Sequence, residues 1–291
     1  MNIRHALSNA RDTLSAQGIE EPNLESELLL RHTLKMDRAT LFLEMDTELS
    51  ANQRDEFQQL VNRRISGEPS AYITGHREFY GLDFQVNPSV LIPRPDSELL
   101  VEKAVEAAKN YSAPTIADIG TGSGAIAISL AVNLPQARVY GTDISASSLD
   151  VAKYNCQRHG VGERVRLLEG DLLEPLPEPV DIITANLPYV PETESVNTHD
   201  YEPSLALYGG PDGLRVINRL CEGLQEKLNP GGFLFLEMGL GQGEAVTCLL
   251  KGHFPGAALD ITADLAGIER VISVSFDENF ASRGVDLVKK Q

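Results

Sequence analysis

The sequence predicts an α/β fold with a largely parallel sheet, preceded by a helical segment and a short β-hairpin. Three observations predict it. From Thr115 onward, strand-like apolar runs alternate with helical stretches, the order of a parallel sheet. A glycine-rich loop, Gly120-Thr121-Gly122-Ser123-Gly124, stands between the first of those strands and the helix after it. Residues 1 to about 75 instead carry apolar side chains at helical spacing.

Taken in order, the first region reads as a small helical bundle. Ser50-Ala-Asn-Gln53 fits a capping box, and Phe57, Leu60 and Val61 follow it at helical spacing. Leu24, Leu28, Leu29, Leu30 and Leu34 give a second stripe. Residues 78–92 alternate around two turn signals, Gly81 and Asn87-Pro88, and predict a hairpin. Pro93 and Pro95 bar a helix across them, and Asp96 or Ser97 is expected to cap the helix that follows. Strands are predicted at 115–119, 137–142, 165–169, 181–185, 232–237, 258–263 and 270–276. Only a short segment separates the last two, which are expected to pair antiparallel.

Composition narrows the function. The chain has 291 residues, 42% of them hydrophobic, and a net charge of −17. Residues 1–77 hold 9 Lys and Arg against 12 Asp and Glu, so neither part has the excess of positive charge that grips polyanions. No apolar run is long enough to span a membrane, and no secretory signal is expected. The three cysteines, Cys156, Cys221 and Cys248, are scattered. That suggests no disulfide framework or metal site, and a reducing, cytoplasmic setting.

The glycine loop points to a nucleotide-type ligand at the carboxyl end of the sheet. Gly120, Gly122 and Ala125 also satisfy a dinucleotide pattern, so the glycines do not settle which. Asp118, just ahead of them, favours the cationic S-adenosylmethionine over a pyrophosphate. Asp143 ends the second strand, where a carboxylate can accept from both ribose hydroxyls; Ser145 is free to cap the next helix in its place. Asp171 is either an acceptor for an adenine amino group or a local cap, and Leu172 can pack on the ring.

The fourth strand ends in Asn186-Leu187-Pro188-Tyr189. A planar NH2 group has a delocalised, weakly nucleophilic lone pair, and two acceptors are needed to orient its hydrogens. The Asn186 side-chain oxygen and the Leu187 backbone carbonyl can serve. Pro188 stiffens the turn, and Tyr189 is expected to wall the acceptor. The tetrad thus reads as a clamp for one NH2 group.

Together with "AYITGHREFYGLDFQV", "VLIPRPDSELLVE", "YEPSLALYGGPDGL", "FLEMGLGQ" and "DLAGIERVI", these motifs resemble the HemK/PrmC-type protein-(glutamine-N5) methyltransferases over nearly the whole chain. The resemblance implies a helical substrate-recognition domain at 1–75, a β-hairpin linker at 76–95 and a class I (Rossmann-like) S-adenosylmethionine-dependent methyltransferase domain at 96–291. It implies cofactor contacts at Gly120 to Gly124, Asp143 and around Leu172, and substrate contacts at Asn186 to Tyr189. The implied substrate is the glutamine of the Gly-Gly-Gln motif in peptide chain release factors. From the acidic balance no direct nucleic-acid binding is expected, and a monomer is expected. A ribosomal-protein glutamine and the N6 of adenine are the alternative acceptors. Leu187 departs from the family's usual Asn-Pro-Pro-Tyr, and Leu172 stands where some relatives carry an aromatic. The segment 192–214 is expected to cover the site, with its glycines as turns or hinges and Glu202 near the substrate or on the surface.

Overall fold

The computed structural model describes residues 1–193 and 201–277. The chain divides into two compact units that meet between His76 and Arg77.

The first unit is helical: α1 (Ile3–Ala16), α2 (Pro22–Leu34), α3 (Arg38–Leu43), α4 (Ala51–Ile65) and α5 (Ser70–Thr74). Side chains start three of them. Asn2 accepts from the His5 N–H, Asp37 from Thr40, and Ser50 forms the reciprocal capping box with Gln53 at 3.2 and 2.9 Å. Leu14, Leu29, Leu30, Leu41, Phe57, Leu60 and Val61 make its core. Of the leucine stripe on α2, Leu29 and Leu30 are fully buried while Leu24 is exposed, because the helix turns only one face inward.

The second unit opens with a hairpin, β1 (His76–Phe79) and β2 (Leu82–Gln85), turning at Tyr80-Gly81 with positive φ at both residues. It is shorter than the sequence suggests. Residues 86–92 leave the ladder but still bury Val86, Val90 and Ile92. The hairpin contributes to the core: Phe79 and Phe84 meet edge to face in the cluster that also holds Leu100, Ile126 and Ile128. Asn155, fully buried, bonds the N–H and the carbonyl of Gln85 and also the Ser123 carbonyl.

The remaining elements are α6 (Glu98–Ala108), β3 (Thr115–Ile119), α7 (Ala125–Asn133), β4 (Arg138–Asp143), α8 (Ala146–Arg158), β5 (Val165–Glu169), β6 (Val180–Ala185), α9 (Arg215–Lys227), β7 (Leu228–Glu237), α10 (Gly243–His253), β8 (Ala258–Ala263) and β9 (Glu269–Ser275). The sheet has seven strands in the order β5-β4-β3-β6-β7-β9-β8, with β9 antiparallel to both neighbours. Apolar clusters cover both faces, one against α9 and α10, the other against α6 and α7.

This order positions the site. The chain runs from β3 outward through β4 and β5, then returns to the other side of β3 with β6. Ligand crevices in open α/β sheets form where the order reverses in this way. β3 and β6 are parallel neighbours with Ile119 opposite Ala185. The residues that follow, Gly120 and Asn186, therefore leave the sheet side by side.

Candidate active site

A cleft lies at the carboxyl edge of the sheet. Gly120, Thr121, Gly122, Ser123, Asp143, Asp171, Leu172, Asn186, Leu187 and Pro188 line it. Asp118, Gly124 and Tyr189 do not.

The glycine loop is held from below. The Thr121 N–H donates to the Thr142 carbonyl at 2.8 Å, and the Gly122 N–H to Asp143 Oδ2 at 2.9 Å. Asp143 Oδ1 takes the Ser145 N–H at 2.9 Å, while Ser145 caps α8 through the Ser148 N–H. Asp143 is thus a loop brace and not the helix cap, and each oxygen keeps a lone pair for a ligand hydroxyl. Burial pushes its carboxyl above the usual range, opposed by those backbone N–H groups. Leu172 has a left-handed backbone, φ 48°, fixed by Thr142 Oγ1 donating to its carbonyl. Asp171 lines the cleft, where its carboxylate pairs with Arg219.

Asp118 and Gly124 lie just outside the lining of the cleft. Asp118 is 1% exposed and accepts from Thr121 Oγ1 at 2.7 Å and Thr184 Oγ1 at 3.0 Å. Strand alternation turns it to the α7 face beneath the loop, so it makes no contact with the cleft. Gly124 precedes α7 where a Cβ would lie 2.9 Å from Ile128 Cδ1, so the loop packs closely against the helix there.

In the tetrad, Asn186 Nδ2 donates to Ser97 Oγ at 2.9 Å, and among the described residues Oδ1 accepts no hydrogen bond. Leu187 is 3% exposed and reaches under the loop, 3.3 Å from where a Gly120 Cβ would stand. Tyr189 is half-buried, its hydroxyl 3.3 Å from Glu237 Oε1. Burial and the Glu237 carboxylate raise its pKa and keep it neutral.

Ser97 and Glu237 were not legible as site residues. Ser97 does not cap α6 with its side chain; its hydroxyl donates instead to Glu237 Oε2 at 2.5 Å. Glu237 ends β7, in register with β6, and is 2% exposed. Burial pushes its carboxyl up to about 7, opposed by the Ser97 and Tyr189 hydroxyls. The available signal was a carboxylate closing the apolar run Phe233-Leu-Phe-Leu236.

The glycines after Tyr208 stand in a turn, in which the Gly213 N–H donates to the Gly210 carbonyl at 3.3 Å. Gly209 donates to the Val190 carbonyl and Val190 to the Leu207 carbonyl, both at 2.9 Å. A Cβ on Gly213 would stand 2.1 Å from the Tyr189 carbonyl. This segment clamps the backbone just beyond the tetrad, and Gln242 Nε2 adds a 2.9 Å bond to the Tyr189 carbonyl. Glu202 is neither exposed nor free for substrate. It takes the Ile92 N–H at 3.1 Å and pairs with Arg94 at 2.6 Å. Part of the expected covering loop, residues 194–200, lies outside the described residues.

Comparison with known proteins agrees with this architecture. Residues 5–75 match the PrmC N-terminal domain, and residues 111–238 match a methyltransferase domain. A release factor glutamine methyltransferase of Moorella thermoacetica is 44% identical, over 93% of this chain and 97% of that protein. The protein of the same name from Geobacter sulfurreducens is 42% identical, over 93% and 95%. A methyltransferase from Pyrococcus furiosus, 20% identical, superposes with a TM-score of 0.51 over 78% of this chain and 100% of that one, a likeness of fold alone. At such identity over nearly the full length, the chain belongs to the release factor glutamine methyltransferase family.

Proposed function

We propose that the protein transfers a methyl group from S-adenosylmethionine to the side-chain amide nitrogen of the glutamine in the Gly-Gly-Gln motif of peptide chain release factors. One observation carries the reading: a side-chain amide, Asn186, stands beside the glycine loop with Nδ2 engaged and Oδ1 unengaged among the described residues.

The cleft fits the cofactor chemically. Asp143 keeps acceptor capacity for a pair of ribose hydroxyls. Leu172, Val90 and Ile126 give apolar surface for a flat base. When bound, S-adenosylmethionine supplies an electrophilic methyl group on its sulfonium.

The protein's own groups orient the acceptor. The amide NH2 of a glutamine is held by Asn186 Oδ1 and by the Leu187 carbonyl, which accepts no hydrogen bond among the described residues. Holding both hydrogens turns the nitrogen lone pair away from them. The same two acceptors stabilise positive charge as it develops on nitrogen. The methylated nitrogen then loses a proton readily, so no strong base and no covalent nucleophile is required. The helical unit, with a core of its own, serves substrate recognition in this reading.

The test is methyl transfer from labelled S-adenosylmethionine to whole release factor, a short Gly-Gly-Gln peptide, ribosomal protein and RNA. Labelling of the Gly-Gly-Gln glutamine in whole release factor, faster than in the peptide, is expected. Preferential labelling of ribosomal protein or of adenine would replace the reading.

A further inference from the structure

We propose that Glu237 and Ser97 are positioning residues for the transfer: the Glu237 carboxylate sets the direction of the Ser97 hydroxyl, and that direction holds the Asn186 amide with Oδ1 presented to the acceptor. This rests on the reading of Asn186 given above.

The three side chains come from three elements, β7, the turn before α6 and the end of β6, and they form one line of hydrogen bonds. An ionised carboxylate only accepts. Glu237 Oε2 lies 2.5 Å from Ser97 Oγ, so the single hydroxyl hydrogen of Ser97 is committed to it. Ser97 Oγ then offers only lone pairs to its other neighbour. The Asn186 atom 2.9 Å away is therefore the NH2 group. The amide is planar and two-sided, so fixing Nδ2 fixes Oδ1. No other hydrogen bond of the Asn186 side chain occurs among the described residues, so the choice between its two faces rests on Ser97. The wrong face would set an NH2 group against the NH2 of the substrate, donor against donor.

The direction depends on charge. A protonated Glu237 can donate to Ser97, which frees the Ser97 hydrogen to point at Asn186 and favours the flipped amide. Burial holds the Glu237 carboxyl up at about 7, so this change falls within an accessible range. The groups facing it are the Tyr189 hydroxyl, Asp96 on the turn before α6, which raises it further, and Arg270 on β9, which lowers it. Arg270 is itself paired with Asp96 at 3.0 Å and Asp264 at 3.1 Å. Arg94 acts on the neighbouring Tyr189.

The test combines single-turnover transfer to release factor across pH, cofactor affinity by calorimetry, and hydrogen exchange of the Asn186 side-chain NH2 by NMR. Ser97→Ala is expected to lower the transfer rate by roughly 10- to 100-fold with cofactor affinity unchanged, and to speed Asn186 exchange. Ser97→Thr, which keeps the hydroxyl, is expected to restore both to within about threefold. Wild-type transfer is expected to fall as pH drops through about 7, in rate at saturating substrate and not in KM. Glu237→Gln, which cannot ionise, is expected to remove that acid limb. Wild-type rate and exchange in Ser97→Ala, or an acid limb persisting in Glu237→Gln, would overturn the relay. A wild-type protein that methylates no glutamine would overturn the functional reading instead, leaving the Asn186 exchange measurement to decide the relay.

Discussion

The Gly122 N–H donates to Asp143 Oδ2 at 2.9 Å, so the loop after β3 is braced by the residue that ends β4. The same carboxylate is the proposed ribose acceptor. Asp143→Ala is expected to weaken S-adenosylmethionine binding by roughly 1–3 kcal/mol, through lost ligand bonds and a loosened loop. Asp143→Asn, which retains one acceptor oxygen, is expected to lose less. Calorimetry on both variants checks this; unchanged affinity in Asp143→Ala would leave Asp143 as a brace only.

Asn186→Ala is expected to slow methyl transfer by roughly 10²–10³ while cofactor affinity stays nearly intact. The value is taken from the removal of one oriented donor at an oxyanion, here with the opposite charge. Leu187→Pro is expected to transfer within a few-fold of wild type, because the backbone carbonyl persists and the Leu187 N–H makes no hydrogen bond among the described residues. Its cost is packing under Gly120, about 1–2 kcal/mol of stability. Single-turnover rates and melting curves on the same samples decide both.

Gly213→Ala is expected to impair folding stability and transfer together. The residue sits at φ 76°, and its new Cβ would meet the Tyr189 carbonyl at 2.1 Å. Backbone strain alone costs on the order of 1–3 kcal/mol, and the clash displaces the segment next to the tetrad. Gly231→Ala is the control, with φ 75° and open space around it. A loss of activity in Gly213→Ala no greater than in that control would mean the clamp on Tyr189 is dispensable.

Asp118→Asn is expected to raise the melting temperature, and to raise it more at pH 7.5 than at pH 4.5. Burial pushes the Asp118 carboxyl from 3.8 up to about 6, partly opposed by the Thr121 and Thr184 hydroxyls. The native state therefore holds this proton more tightly than the unfolded chain does. The resulting stability is fully present below about pH 4 and is lost as pH rises through 6. Asparagine removes the buried charge and can still bond both threonines. A variant whose melting gain shrinks as pH rises would contradict this.

Much of the fold was legible in the sequence because it follows from local periodicity. The capping box at Ser50 and Gln53 formed as read, since it needs only four residues. All seven strands of the sheet are present, and β8 and β9 pair antiparallel across their short connection. The loop 120–124 and the tetrad 186–189 also announced themselves, because their spacing and residue types are unusual on their own.

Tertiary structure alone decided which way the side chains point. Asp118 looked like a ligand contact from its position, yet strand alternation buries it beneath the loop, where Thr121 and Thr184 satisfy it. Tyr189 was expected beside the acceptor, and tertiary structure decided that its hydroxyl meets a carboxylate on β7. Ser97 looked like a helix cap, and its hydroxyl serves Glu237 and Asn186 across separations of 140 and 89 residues. The sequence by itself determined the elements and the chemical vocabulary of the site. The relay among Asn186, Ser97 and Glu237 arises only when the sheet order sets the ends of β6 and β7 side by side, because hydrogen bonds between distant residues have no periodicity to betray them.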